Sequence, residues 1–353
     1  MNPFVFPPPR VGRTGFTLVE LLVASAITVV LAGLMIAILT QISTTWARAS
    51  GGLVATQQAE LALDVLAQDL QSAVLRRDGR VWLLATVQPD QSGAGDIGGT
   101  LARWSPAVGK PGAVGPGTPD SSLDLAPASG RLEDCRFGMA GVWLRFIAQV
   151  ADRNDSIANT SAPRAVAYQI VRRAVVDNPG AAQRYGLFRS EVRPFADASP
   201  ARERSTFAVG YDLLAPAYNS MAGGGALGDA GTVRRPRREL LLGSDVVDFG
   251  VRFYRPVAGT GQLELLFPTG HANRGFAATT ALGAVPANPS VPVGEMRYGF
   301  PTVAELFIRV LTEEGARQIA ALETGQLTGR TWWEITRAHS VVGTRRIALE
   351  ASP

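Results

Sequence analysis

The feature that most constrains this chain is an uncharged stretch that extends from Leu21 to Ile42. As an α-helix it would be about 33 Å long at ~1.5 Å per residue, which matches the ~30 Å hydrocarbon core of a bilayer. Trp46 follows at the depth where interfacial aromatic side chains concentrate. The stretch therefore predicts a single membrane-spanning helix. Because Arg10 and Arg13 precede it, the positive-inside rule predicts a cytoplasmic N-terminus.

Two ordinary explanations leave part of this segment unexplained. A secretory signal has a shorter apolar region that ends at a small-residue cleavage site, whereas this run continues into a helix-like sequence. A plain single-span anchor accounts for the length of the run and for Trp46. Neither explains why a carboxylate, Glu20, stands at the start of an otherwise uncharged span.

The residues around Glu20 supply a third explanation. The string GFTLVE at 15–20, with basic residues before it and an apolar run after it, resembles the type III signal of prepilins. In that family a membrane aspartic peptidase cuts after the glycine and methylates the new N-terminus. The resemblance implies cleavage between Gly15 and Phe16 and an N-methyl group on Phe16. It also implies four partners: the inner membrane, a prepilin peptidase, other pilin-like subunits and an assembly platform.

Glu20 is the candidate assembly residue. A carboxylate at membrane depth is costly and needs a partner. The resemblance implies that Glu20 meets the free α-amino group on the first residue of a neighbouring subunit, which would set the register between subunits. The alternative is that Glu20 reaches the cytoplasmic interface by snorkelling.

The helical pattern continues beyond the membrane. Leu63, Leu66 and Leu70 recur at spacings of three and four, which predicts an amphipathic helix. We expect one helix from about Thr17 to Leu75, in which the pair Gly51-Gly52 can introduce a bend. The predicted organisation is a leader at 1–15, a membrane and assembly helix at 16–45, an amphipathic helix at 46–78 and a periplasmic head at 79–353.

The head is predicted to be α+β, with the long helix packed on an antiparallel sheet, as in pilins. Regions 90–130, 215–236 and 283–294 are rich in Gly, Pro and small polar residues and are predicted loops. The tail at 332–349 offers two strand candidates, the first holding Trp332-Trp333 with one ring buried. The other predicted elements are strands at 81–87, 142–150, 165–173, 185–192, 246–254, 262–267 and 303–311 and a short helix at 313–323.

Three later patches are similar to the J-type minor pseudopilin of type II secretion. They are Asp69–Val74, which resembles the end of the long helix of that family, Leu240–Tyr254, which resembles a late strand, and Pro301–Leu311. The chain is longer than a typical J-type protein, and its layout is also similar to that of the pilin-like protein C of the Verru_Chthon cassette.

Cysteine and histidine, which often act as nucleophiles or metal ligands, are scarce in this chain. Cys135 is the only cysteine, which excludes an internal disulfide and favours a small buried hydrophobe. The two histidines, His271 and His339, have no metal-ligand spacing. The DRND string at 152–155 lacks the remaining ligands of a calcium loop and favours a polar turn. We therefore expect no catalytic residue, no metal and no cofactor, and do not expect an enzyme.

The net charge also argues against nucleic acid as a partner. The formal charge is only +4, and the densest basic run, 234–238, is broken by Pro236 and has no interleaved aromatic residues. A solvated loop explains that run better than a phosphate-binding patch.

Two functions from different classes remain open on the sequence. The first is a structural minor pilin or pseudopilin, at the tip of a type IV pilus or a type II secretion-like pseudopilus. The alternative is a tip adhesin or substrate-recognition protein that binds a ligand through loops such as 90–130 and 215–236. Altered loops would abolish binding in the second case and leave assembly intact.

Intact-mass measurement and N-terminal sequencing of the protein purified from its own membranes test the processing site. We expect a mature chain that begins with N-methylated Phe16. A chain that still carries residues 1–15, or one cut beyond residue 42, would exclude prepilin processing.

Overall fold

The structure is a computed structural model that describes most of the chain. It divides into two compact units, residues 1–50 and 51–353. The described residues are 17–87, 124–137, 141–149, 163–174, 183–192, 213, 240–281 and 295–349.

One long helix precedes eleven strands, two short helices and a 3₁₀ turn in the described residues. The helices are α1 (Leu18–Gln71), α2 (Glu313–Glu323) and α3 (Trp332–Ala338), and the 3₁₀ turn is Leu132–Asp134. The strands are β1 (Leu83–Val87), β2 (Val142–Ala148), β3 (Arg164–Ala174), β4 (Gln183–Val192), β5 (Leu241–Ser244), β6 (Val246–Pro256), β7 (Leu263–Phe267), β8 (Gly275–Ala278), β9 (Met296–Gly299), β10 (Val303–Leu311) and β11 (Ser340–Ala348).

The strands form two sheets. The larger has seven strands in the order β5-β4-β3-β2-β1-β8-β9, and the smaller has four in the order β11-β10-β6-β7. All described pairings are antiparallel except β8 with β9. The chain passes from the larger sheet to the smaller at Asp245, a non-glycine residue with a φ of 56°. Its carboxylate lies 3.2 Å from Arg184 Nε, and burial raises its pKa.

The second half of α1 packs on the smaller sheet. Its buried residues recur at spacings of three and four, as a helix with one apolar face requires. At Gly343 of β11, an added Cβ would lie 3.0 Å from Leu63 Cδ1 and 3.1 Å from Ala59 Cβ. The missing side chain at Gly343 therefore permits the close approach of α1. The buried residues of this face are Ala55, Ala59, Ala62, Leu63, Leu66, Ala67 and Leu70.

Aromatic rings join the two sheets in the core. Phe253 of β6 lies 4.9 Å, between ring centroids, from Phe276 of β8. Phe267 of β7 completes the cluster at 5.9 Å from Phe276. All three side chains are fully buried, so each contributes strongly to the hydrophobic stabilisation of the head.

Residues 124–137 cross the outer face of the smaller sheet. Arg252 Nη1 donates to the Gly130 carbonyl at 2.7 Å, and Arg309 Nη2 donates to the Glu133 carbonyl at 2.7 Å. The Phe137 ring occupies the place that a side chain at Gly250 would fill. Hydrogen bonds and the packing of the Phe137 ring against Gly250 thus hold this segment on the strands.

The predicted α+β class and the long N-terminal helix are confirmed. The strand at 303–311 and the helix at 313–323 have the predicted bounds. The head differs from the prediction in having two sheets and one parallel strand pair. Of the three predicted loops, 215–236 and 283–294 lie outside the described residues, as does 90–130 apart from 124–130.

The prediction of two strands within 332–349 was wrong, because α3 occupies the first part. The Thr331 hydroxyl accepts from the Glu334 N–H at 3.2 Å, and the Glu334 carboxylate accepts from the Thr331 N–H at 2.8 Å. This capping box starts a helix despite the strand preference of two consecutive tryptophans. Trp332 is buried and Trp333 half-buried, so the prediction that one ring is buried was right.

Gly250→Ala should lower the free energy of unfolding by about 1–3 kcal/mol, because the new methyl group overlaps the Phe137 ring. Chemical denaturation of the full chain in detergent, followed by tryptophan fluorescence, measures the change. Gly243→Ala is the control, since its Cβ would meet only Val246 Cγ2, at 3.4 Å. Equal stability of the two variants would contradict the described position of Phe137.

Candidate processing and assembly site

The N-terminus of α1 carries a capping box formed by Thr17 and Glu20. The Thr17 hydroxyl accepts from the Glu20 N–H at 3.2 Å. The Glu20 carboxylate oxygen Oε2 accepts from the Thr17 N–H at 2.9 Å and from the Thr17 hydroxyl at 3.0 Å. These bonds satisfy donors that the first turn of a helix leaves without intrahelical partners. A carboxylate also interacts favourably with the positive end of the helix dipole.

Glu20 therefore has a local role that the sequence reasoning missed. The pattern Thr-x-x-Glu before an apolar run is a capping-box signal and could have identified Thr17 as the N-cap residue. Both Thr17 donors reach Oε2, and among the described residues no donor reaches Oε1. The other two predicted site residues, Gly15 and Phe16, lie outside the described residues.

The first half of α1 is apolar and exposed in the isolated chain. Its large side chains are all exposed, and Leu31, Leu34 and Met35 are each more than half accessible. The helix is long and apolar enough to cross a membrane. A lone helix with an apolar surface on all sides needs a nonaqueous environment, which a bilayer provides.

At its other end, α1 is held by a charged cluster. Asp69 is 6% exposed, and its carboxylate receives a fork of hydrogen bonds from Arg189 of β4. Arg189 Nε lies 2.6 Å from Oδ2, and Nη2 lies 3.3 Å from Oδ1. The Tyr168 hydroxyl of β3 donates to the same carboxylate. Burial, followed by the neighbouring Asp69 charge, raises the pKa of Tyr168 well above its ordinary value.

The cluster continues along β3 and β4 through alternating charges. Arg189 Nη1 lies 3.3 Å from the Glu191 carboxylate, and Arg164 Nη1 lies 2.8 Å from the same carboxylate. Each buried or half-buried charge thus has an opposite partner, as the high cost of unpaired buried charge requires. The arrangement is suited to fixing the end of α1 on the larger sheet.

Cys135 has the environment of an unreactive thiol. It is fully buried, and Arg252 Nη2 donates to its sulfur at 3.2 Å. Burial raises the pKa of Cys135 to about 11, so little thiolate forms near neutral pH. In the described part of the chain, no group of three His, Cys, Asp or Glu side chains is arranged to hold a metal ion.

Comparison with known proteins gives one result, at the N-terminus. Residues 10–36 match the family model of the prokaryotic N-terminal methylation motif. The matched range contains the capping box and most of the uncharged stretch. No curated protein and no solved structure matches the chain.

The motif supports a pilin- or pseudopilin-like precursor, and the apolar helix that follows it is consistent with that class. The motif implies processing by a prepilin peptidase and assembly with other pilin subunits. The helix fits the single-pass inner-membrane anchor that is typical of prepilins. Together they indicate a structural subunit rather than an enzyme.

Asp69→Asn should lower the free energy of unfolding by roughly 1.5–3 kcal/mol, because Arg189 loses its buried counter-ion and keeps only the half-buried Glu191 carboxylate. Asp64→Asn is a matched control on the same helix. Asp64 pairs with Arg345, but its side chain is 59% exposed, so the cost should be below about 1 kcal/mol. Urea denaturation measures both variants, and similar losses would contradict a special role for Asp69.

Proposed function

We propose that this chain is a minor pilin or pseudopilin that is cut between Gly15 and Phe16, methylated on Phe16 and assembled into a type IV pilus or a type II secretion-like pseudopilus. The observation that carries the proposal is the methylation-motif match at residues 10–36. The capping box and the uncharged helix directly after it support the same function.

In this proposal, Glu20 pairs with the α-amino group of Phe16 on a neighbouring subunit. The support is geometric and electrostatic. Thr17 occupies Oε2 of Glu20, so Oε1 can still accept a hydrogen bond from an ammonium group. An ion pair at membrane depth is strongly favoured over two separate charges, and it would set the register of subunits along the fibre.

The proposed topology follows from the charges that flank the span. Residues 1–15 form the cytoplasmic leader, 16–45 the membrane and assembly helix, 46–78 the amphipathic helix, and 79–353 the periplasmic head. The arginines of the leader and the uncharged run after Glu20 support this orientation.

We propose that the subunit lies at the fibre tip. We also propose that it is similar to the J-type minor pseudopilins or to the protein C of the Verru_Chthon cassette. The steric support is that residues 51–353 form one compact unit, too bulky to repeat easily along a tightly packed filament. The three J-like patches are the sequence basis of the likeness. They fall on the end of α1, on β5 and β6, and on β10, and β6 pairs with β10.

Two variants separate pairing by Glu20 from its role in the capping box. Glu20→Gln removes the charge but keeps a side chain that is accepted at the third helical position of a capping box. Thr17→Val removes the capping hydroxyl and keeps the carboxylate. The measurement is the amount of the chain in fibres sheared from the native host, together with its intact mass in membranes.

Wild-type protein should be found in the fibre fraction together with other pilin-like subunits. Glu20→Gln should be processed normally but reduced roughly tenfold or more in fibres, and Thr17→Val should be less affected. Asp64→Asn, which removes an exposed carboxylate elsewhere on α1, serves as the control. Equal recovery of Glu20→Gln and wild type would exclude the ion pair, and wild type absent from every fibre would exclude the function.

A further inference from the structure

Two consecutive glycines, Gly51 and Gly52, lie in the interior of α1. Glycine weakens a helix interior, because it loses the most backbone freedom on folding and is the poorest helix former after proline. Since α1 contains no proline, this adjacent glycine pair is the part of the helix with the lowest helix propensity.

Packing does not require either glycine. An added Cβ at Gly52 would meet nothing within 4 Å, and one at Gly51 would make only an ordinary contact of 3.8 Å with Thr312 Cβ. At Gly343, by contrast, the added Cβ would lie 3.0 Å from a side chain of α1. Alanine would therefore fit at both helical positions, so close packing does not explain the glycine pair.

A third residue weakens the helix at the same point. The Thr56 hydroxyl donates to the Gly52 carbonyl oxygen at 2.9 Å, and that oxygen is also the regular acceptor for the Thr56 N–H. Hydroxyl groups that bond back to the preceding turn in this way slightly destabilise helices and often bend them.

Tertiary packing begins immediately after this point. Among the side chains of α1 that the structure describes, Ala55 is the first that is buried, at 2% exposure. Most helical stability in proteins comes from the packing of an apolar face rather than from propensity. Gly51 and Gly52 thus lie just before the part of α1 that tertiary contacts stabilise.

We propose that α1 opens locally at Gly51-Gly52, so that the glycine pair is a hinge built into the helix. Opening breaks the backbone hydrogen bonds around residues 51–56 and leaves the packed face from Ala55 to Leu70 in place. The preceding apolar segment can then change direction without unfolding the head. This hinge does not depend on fibre assembly and is a property of the single chain.

Hydrogen–deuterium exchange of the full-length protein in phospholipid nanodiscs tests the hinge. In wild type, amides at 51–56 should exchange much faster than those at 63–70. Gly51→Ala and Gly52→Ala should each slow exchange at 51–56 roughly fivefold, and the double variant about 30-fold. Exchange at 63–70 should not change.

Gly33→Ala is the matched control, because an added Cβ there also meets nothing within 4 Å. It should leave exchange at 51–56 unchanged. Wild-type amides at 51–56 that exchange as slowly as those at 63–70 would overturn the hinge. So would a double variant that melts like wild type but shows no slower exchange at 51–56.

Discussion

The constraint on which the rest of the structure depends is that α1 meets two environments along one uninterrupted helix. From Leu21 to Ile42 it carries no charge, as a helix that crosses hydrocarbon requires. From Ala55 onward it needs only one apolar face, since the head covers that face alone. A helix satisfies both demands because its backbone hydrogen bonds are internal.

The head is organised around the second half of that helix. The smaller sheet approaches α1 closely at Gly343, and the larger sheet reaches its last turns through Arg189 and Tyr168. Because Asp245 joins β5 directly to β6, the two sheets also share one run of chain. Apolar packing therefore holds the middle of the second half of α1 on the smaller sheet, and charge pairing holds its end on the larger sheet.

The sequence predicted the elements whose pattern is local and strong. The apolar run of β10 and the helical spacing in α1 predicted those elements, whereas β8 and β9, at four residues each, were too short to show a period. The α3 helix was missed because the tryptophans outweighed the capping signal of Thr331 and Glu334. The pairing of Asp69 with Arg189 spans 120 positions, and no local pattern specifies it. The same limit applies to Phe137 and Gly250.

The contacts of α1 with both sheets have a mechanical consequence. Tension applied along the axis of α1 would load its contacts with the two sheets in shear. Many of these contacts would then have to break at the same time before the helix could slide. A strand at a sheet edge would instead be peeled away one hydrogen bond at a time. The fork between Asp69 and Arg189 lies at the far end of this contact, where it opposes sliding of α1 along its own axis. Tension transmitted through α1 would therefore be opposed by its packed face and by the Asp69–Arg189 pair together.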